Sequence, residues 1–163
     1  MKKLVALVAT GLVLTGGVAL ADTSSSRVVF YPIPGSSTPG SPAGGLPLSE
    51  STRVDDVLHL SGQIGNVRPG TPVVAGGIPA EARQAMDNIK AALANRGLTT
   101  ATVFKCDVFI TDMTQLASFN SVYATYFAAG RLPARSALGV AALTLGAHVE
   151  VECEAAFAGS GRG

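Results

Sequence analysis

Two short segments in the last third of the chain hold the residues whose types and spacing could do chemistry. Arg135 follows the turn residue Pro133, and Glu150 and Glu152 alternate with valines further downstream. A guanidinium is always charged and offers two parallel donors that match a carboxylate. Residues two apart in a strand share one face, so the two glutamates would lie side by side. The pattern predicts a site that binds a substrate carboxylate and handles a proton or a water.

The same residues also have a purely structural interpretation. Arg135 could belong to an ion pair within a loop. Glu154 continues the alternation of Glu150 and Glu152, as expected for a solvated sheet face. Gly62, which follows a strand-like segment, either gives a ligand close access to the backbone or marks a β-bulge. The residue pattern alone leaves these alternatives open.

Alternating periodicity predicts the strands that would position these residues. They are expected over residues 27–31, 101–110, 136–140 and 148–157. A further strand is expected within residues 53–65, centred on residues 57–63, with a tight turn at Asp55-Asp56 just before it. In the last of them, Val149, Val151, Cys153 and Ala155 would face the core while the glutamates between them face outward.

Two helices are predicted between the strands. The first begins at Pro79 and ends at Gly97, with Glu81 on its polar face. The second is capped by Asp112 or Thr114 and ends at the next glycine. Two helices against a mixed sheet form an α+β layer fold.

The N-terminus predicts export. Lys2 and Lys3 precede an apolar run over residues 4–14, and Ala19-Leu20-Ala21 is a small-x-small cleavage site. We therefore expect a secretory signal peptide that is cleaved after Ala21, which would make the protein secreted or periplasmic, with no membrane partner after cleavage. Cleavage would change the net charge from +1 to −1.

The domain organisation follows from these boundaries. Residues 1–21 are the predicted signal peptide, and residues 22–46 are a leader with a short first strand and a loop rich in Gly, Pro and Ser. The domain core spans residues 47–158, and residues 159–163 form a flexible C-terminal tail.

Composition disfavours several classes of function. The chain has 163 residues with 12 Lys and Arg against 11 Asp and Glu, which suits one domain and argues against nucleic acid as a partner. His59 and His148 lack metal-ligand spacing with the cysteines, and the sequence contains no nucleophile elbow or phosphate-binding loop.

The two cysteines, Cys106 and Cys153, both fall in predicted strands and share a face with apolar neighbours. We expect two small buried apolar residues. A cross-strand disulfide is the alternative in an exported protein, because pairing cannot be deduced from sequence alone.

Six separated motifs occur in the order found in one known family. They are Leu46-Pro47-Leu48-Ser49-Glu50, Leu60-Ser61-Gly62-Gln63-Ile64-Gly65, Gln84-Ala85-Met86-Asp87-Asn88-Ile89, Phe119-Asn120-Ser121-Val122-Tyr123, Leu132-Pro133-Ala134-Arg135-Ser136 and Val149-Glu150-Val151-Glu152. With them, residues 27–158 resemble the RidA/YjgF family of enamine/imine deaminases. The resemblance implies a chorismate-mutase-like α+β domain with two helices on one face of a mixed sheet. It also implies a homotrimer whose active sites lie in clefts between subunits.

The resemblance further implies a reaction, the hydrolysis of a reactive 2-imino or enamine acid to a 2-keto acid and ammonia without a metal or an organic cofactor. Arg135 matches the arginine that binds the substrate carboxylate. Glu150 matches the acidic residue that positions or activates water, and Glu152 is a weaker candidate for that role.

Further positions match substrate contacts of the family. Gly62 and the backbone near Ala137 match contact positions, and Asn120 matches a polar residue near the pocket. Leu48 stands where the family commonly has a tyrosine, and Ala137 where it commonly has a cysteine. Both changes make the pocket less polar, which predicts a preference for larger apolar imino acids.

Two classes of function follow. The first is an exported imine deaminase, and the second is a non-catalytic trimer that binds small carboxylates or protects other envelope proteins. Glu150 separates them, because only the enzyme should lose its function in Glu150→Gln. A ribonuclease activity, also attached to the family, is disfavoured by the near-neutral charge and the predicted export.

Overall fold

The computed structural model describes residues 27–34 and 47–158. The predicted signal peptide, the rest of the leader before residue 27, the loop over residues 35–46 and the predicted C-terminal tail lie outside the described residues. Within the described ranges, no helix combines the length and the apolar character needed to cross a membrane.

The described strands form a single mixed sheet. They are β1 (Val28–Tyr31), β2 (Ser51–Val54), β3 (Val57–Leu60), β4 (Gln63–Ile64), β5 (Val103–Ile110), β6 (Ala134–Gly139) and β7 (Val149–Ala156). Their spatial order is β1-β2-β3-β7-β5-β6, and β4 also pairs with β7. β5 and β6 are parallel, whereas the other pairs are antiparallel.

The tight turn predicted at Asp55-Asp56 is confirmed, but the strand predicted around residues 57–63 is divided into β3 and β4, and the strand before the turn, β2, was not predicted. The chain forms a β2–β3 hairpin there, with Val54 opposite Val57. The turn needs a positive φ of 51° at Asp55, a conformation that aspartate tolerates better than most residues. β4 is a separate short strand after Gly62. The polar residues of β2 give no alternating pattern, which explains why the sequence did not reveal this strand.

Two helices cover one face of the sheet, as predicted. They are α1 (Gly77–Ala94) and α2 (Leu116–Tyr123). Past the end of α1, Gly97 adopts a φ of 70°, and the Leu98 N–H donates to the Leu93 carbonyl at 3.0 Å, an arrangement that suits glycine after a helix. The side chain of Asp112 accepts the Thr114 N–H at 3.0 Å. Asp112 is therefore the cap of the 3₁₀ turn that leads into α2.

The core lies between the helices and the sheet. Ile78, Met86, Ile89 and Leu93 of α1 pack with Phe119 and Val122 of α2 against Leu58, Val108, Val149 and Val151 of the strands. The predicted alternation of β7 is confirmed, since its valines, Cys153 and Ala155 are buried and its glutamates are more exposed. Glu81 departs from the prediction of a polar face, because it is only 1% exposed.

The expectation of two free buried cysteines is wrong. Cys106 and Cys153 face each other in the register of β5 and β7, and their sulfur atoms form a disulfide. The two cysteines are indeed buried, but the disulfide, which was the alternative, is the arrangement found. It ties together two central strands that are 47 residues apart in sequence.

Candidate functional site

Arg135 is held on the helix-covered side of the sheet by aromatic rings. In β6 it lies in register with the buried Cys106 of β5. Its Cζ atom is 4.9 Å from the ring centroid of Tyr123 and 5.7 Å from that of Phe119, both in α2. Stacking on a ring face leaves the N–H edges of a guanidinium available.

Arg135 has no carboxylate partner in the part of the chain that the structure describes. Among residues 27–34 and 47–158, the ion pairs involve other cations. The structural alternative, an arginine engaged in a loop ion pair, is therefore not what these residues form. The arrangement can present a fixed cation to an anionic group from outside the protomer.

A cavity of about 370 Å³ opens beside Arg135. It is lined by Asn120, Tyr123, Ala124, Leu132, Pro133 and Arg135. The Asn120 Oδ1 and Tyr123 hydroxyl oxygens are buried and have no hydrogen-bond partner among the described residues. Burial raises the pKa of Tyr123 to about 12, although Arg135 acts in the opposite direction, so the hydroxyl keeps its proton at neutral pH. We call Arg135, Asn120 and Tyr123 the arginine half-site.

Glu150 lies against the backbone of Gly62. A Cβ atom built on Gly62 would overlap the Glu150 carboxylate, so only glycine allows the side chain to cross this point. The pKa of Glu150 is raised by burial first and by the charge of Glu152 second. A carboxyl with a raised pKa can exchange protons closer to neutral pH. We call Gly62 and Glu150 the glutamate half-site.

The two half-sites are on opposite faces of the sheet. Residues directly in register on adjacent strands share a face, so Arg135, Cys106 and Cys153 are on one side. Glu150 is three residues from Cys153 and pairs with Phe109, which puts it on the other side. A single protomer therefore does not bring Arg135 and Glu150 together.

The remaining predicted residues distribute between the half-sites. Ala137, in register with Val108, shares the face of Arg135. Leu48 is exposed, and the next residue accepts a 2.7 Å hydrogen bond from the Ser61 hydroxyl through its carbonyl, which ties this segment to the glutamate half-site. Glu152, two residues beyond Glu150, lies opposite Asp107 in the β5–β7 register, on the sheet face that the helices do not cover.

Two polar groups near these half-sites were not identified from the sequence. Tyr123 was noted only as the end of the motif at residues 119–123, and its spacing of three from Asn120 on a helix is the signal that links the two residues. Glu81 was assigned to a solvated face, yet it is buried and contacts His148. No local pattern could have revealed a partner 67 residues away. Among the described residues, no three His, Cys, Asp or Glu side chains are placed to hold a metal ion.

Comparison with known proteins adds a family relationship. The family described as endoribonuclease L-PSP matches residues 39–157. A mouse protein named 2-iminobutanoate/2-iminopropanoate deaminase is 40% identical over 116 residues, which cover 71% of this chain and 85% of the mouse protein. Protein HMF1 of Saccharomyces cerevisiae is 41% identical over 115 residues, with coverages of 71% and 88%.

Solved structures are similar in fold. A protein of unknown function from the conserved Rid family, YyfA of Yersinia pestis, superimposes with a TM-score of 0.65 at 36% identity. The match covers 72% of this chain and 93% of YyfA. The similarity confirms the predicted α+β fold with a mixed sheet and two helices.

Proposed function

We propose that this chain, which belongs to the Rid/YjgF family described as endoribonuclease L-PSP, hydrolyses reactive 2-imino or enamine acids. The products are 2-keto acids and ammonia. The observation that carries the proposal is the Arg135 guanidinium, which lies on the Tyr123 ring beside a cavity and has no protein carboxylate among the described residues. The names of relatives such as the mouse deaminase support the reaction class.

In the proposed reaction, Arg135 binds the substrate carboxylate through paired N–H donors. Glu150 removes a proton from the water that attacks the imine carbon. The raised pKa of Glu150 suits a base that must also return its proton. Imines hydrolyse readily, so orientation by one cation and proton transfer by one carboxylate provide the necessary acceleration.

The active site is composite and lies between subunits of a homotrimer. Its support is the placement of Arg135 and Glu150 on opposite sheet faces, which requires a second copy to complete each site. β6 is the last strand in the order of the described sheet, and the 46% exposed Leu138 lies on it. An open edge with exposed apolar side chains favours association.

The substrate side chain enters the cavity beside Arg135. Ala124, Leu132 and Pro133 form its apolar wall, and about 370 Å³ leaves room for groups larger than ethyl. Leu48 and Ala137 make the site less polar than the family pattern. These features favour imino acids with larger apolar side chains.

The direct test measures release of keto acid from freshly generated 2-iminobutanoate, 2-iminopropanoate and an imino acid with a branched apolar side chain. We expect acceleration over uncatalysed hydrolysis, and its loss in Arg135→Ala. Arg131→Ala changes an exposed arginine in the segment just before β6; it is the matched control and should behave like the wild type. Absence of acceleration for every imino acid would refute the proposal.

A second candidate function is a trimer that only binds small carboxylates. The aromatic support of Arg135 favours binding without requiring turnover. Calorimetry with 2-ketobutanoate measures this binding directly. If the wild type shows no turnover and Glu150→Gln binds 2-ketobutanoate as tightly as the wild type, the result would favour the binder. A ribonuclease has less support, because the net charge is only +1 and RNA binding relies on cationic surfaces.

Export of the protein completes the proposal. The disulfide between Cys106 and Cys153 supports it, because stable disulfides are typical of oxidising compartments. N-terminal sequencing of the protein recovered from the periplasm or medium should begin at Asp22. A full-length protein that remains in the cytoplasm with two free thiols would contradict this part.

A further inference from the structure

A buried carboxylate orients a histidine two residues before Glu150 in the chain. Glu81 of α1 is 1% exposed, and both of its oxygens bind His148. Oε1 is 2.6 Å from the imidazole Nδ1, and Oε2 accepts the His148 backbone N–H at 2.7 Å. Burial of a carboxylate is unfavourable unless it is paired in this way. The fold accommodates the pair through Gly65, where a Cβ would come within 2.5 Å of the Glu81 Cα.

The imidazole is half in solvent. The side chain of His148 is 55% exposed, and its Nε2 atom has no hydrogen-bond partner among the described residues. A carboxylate on Nδ1 fixes the ring orientation and leaves Nε2 to accept or donate a proton. The backbone hydrogen bond to Oε2 anchors this segment to α1, and the contact of Oε1 with Nδ1 orients the ring.

His148 is adjacent to the glutamate half-site in the chain. It directly precedes β7, and Glu150 follows two residues later, which separates their Cα atoms by at most about 7 Å. The backbone position is fixed by β5, because the Thr111 N–H donates to the His148 carbonyl at 3.0 Å. Among described residues, the charged group in contact with the ring is Glu81 from α1, and Glu150 is the next titratable group along its own strand.

We propose that His148 is a second acid–base group of the imine hydrolysis and that Glu81 is its positioning residue. The inference rests on the proposed function. Hydrolysis must remove a proton from the water that attacks the imine carbon and add one to the imine nitrogen. The two proton transfers therefore occur at opposite ends of the C=N bond. Glu150 and His148 can serve the two positions separately.

The proton balance closes without another reactant. Glu150 takes a proton from water as the C–O bond forms, and the imidazolium Nε2 donates one to the nitrogen, which yields a carbinolamine. The Glu150 carboxyl then returns its proton to the nitrogen as the C–N bond breaks and ammonia leaves. Neutral His148 takes the hydroxyl proton, so the ketone forms and both side chains regain their starting states.

The test uses a variant that preserves the anchor. In His148→Asn, the side-chain amide can still donate to Glu81, but the Nε2 position is lost. We expect kcat to fall about 10²-fold with little change in KM, and free imidazole to restore part of it. His59→Asn, which changes the other histidine, is the control and should match the wild type.

Glu81→Gln tests the positioning role. Its kcat should fall less than that of His148→Asn, and the double variant should be no slower than His148→Asn alone, because coupled residues are not additive. An unchanged kcat in His148→Asn would overturn the proposal. A loss of kcat with a lowered melting temperature and no imidazole rescue would overturn it too, since the role would then be structural.

A second measurement separates this inference from the proposed function. If the wild type accelerates no imine hydrolysis, the proposed function fails, but the placement of His148 in the site can still be tested. Nitrogen-15 NMR of the His148 ring, with 2-ketobutanoate as the probe, then reports directly on its placement. A change of the Nε2 resonance that is absent in Arg135→Ala supports the location of His148 in the site, and an unchanged resonance overturns it.

Discussion

Arg135 and Glu150 face away from each other across one sheet. The disulfide between Cys106 and Cys153 joins β7, which carries Glu150, to β5, the strand between β7 and the β6 strand of Arg135. Arg135 shares its face with both cysteines, whereas Glu150 is displaced from Cys153 by three residues of β7. An odd displacement along a strand reverses the face. A site that needs both side chains must therefore draw them from different copies of the chain.

This relationship predicts complementation between two inactive variants. Arg135→Ala and Glu150→Gln should each lack turnover as pure proteins. After unfolding together and refolding as a mixture, random assembly should restore about a quarter of wild-type activity, because one composite site in four receives both intact residues in a closed ring. The measurement is keto-acid release before and after mixing. No recovery from mixed assemblies that are shown to form would contradict a composite site.

Gly62→Ala should disable Glu150 without removing it. The new methyl group would occupy the position of the Glu150 carboxylate, so that side chain must move. We expect kcat to fall nearly as far as in Glu150→Gln, while 2-ketobutanoate affinity, which depends on Arg135, changes little. In the double variant Gly62→Ala/Glu150→Gln the two effects should not add. Additive losses would show that Gly62 acts by another route.

The pKa of Glu150 predicts the acid limb of the pH profile. Burial and then the charge of Glu152 raise this pKa, so the carboxylate base is lost as pH falls at a higher pH than for an ordinary glutamate. Glu152→Gln removes the second cause, and the limb should move to lower pH. Glu154→Gln, which changes the next carboxylate on the same face, is the control. An unmoved limb in Glu152→Gln would contradict the assignment of this limb to Glu150.

The sequence predicted those elements whose signals are local. The apolar spacing of α1 and the alternation of β7 are enough to place both elements and the outward direction of Glu150. The pair Asp55-Asp56 predicted the turn between β2 and β3, but β2 itself was missed because Ser51, Thr52 and Arg53 carry no apolar alternation.

The site depended on non-local information. The motifs show the residue types of the site and their order in the chain. Which side chains share a sheet face is set by the register between strands, which the motifs do not show. The pairings of Cys106 with Arg135 and with Cys153 exist only in the assembled sheet. The same holds for the buried Glu81. Its partner His148 directly precedes β7 and contacts α1 only once β7 is in its place in the sheet.

Tyr123 should control affinity through its ring. The ring face lies under the Arg135 guanidinium, and such contacts contribute about 0.5–2 kcal/mol. We expect Tyr123→Leu to raise KM roughly 2- to 30-fold and to leave kcat nearly unchanged. Tyr123→Phe keeps the ring and removes a buried hydroxyl that has no partner among the described residues, so its KM should match the wild type. An equal increase in both variants would assign the effect to the hydroxyl.

The disulfide should provide a large part of the free energy of unfolding. It links residues separated by 47 positions, and closing a loop of that size restricts the unfolded chain enough to stabilise the fold by about 4 kcal/mol. Reducing the protein after unfolding, or making Cys106→Ala/Cys153→Ala, should lower the urea midpoint correspondingly. The reduced wild type is the cleaner comparison, because the double variant also loses packing volume in the core. Two titratable thiols in the unfolded, unreduced protein would show that the bond does not form, and an unchanged midpoint after reduction would show that it does not stabilise the fold.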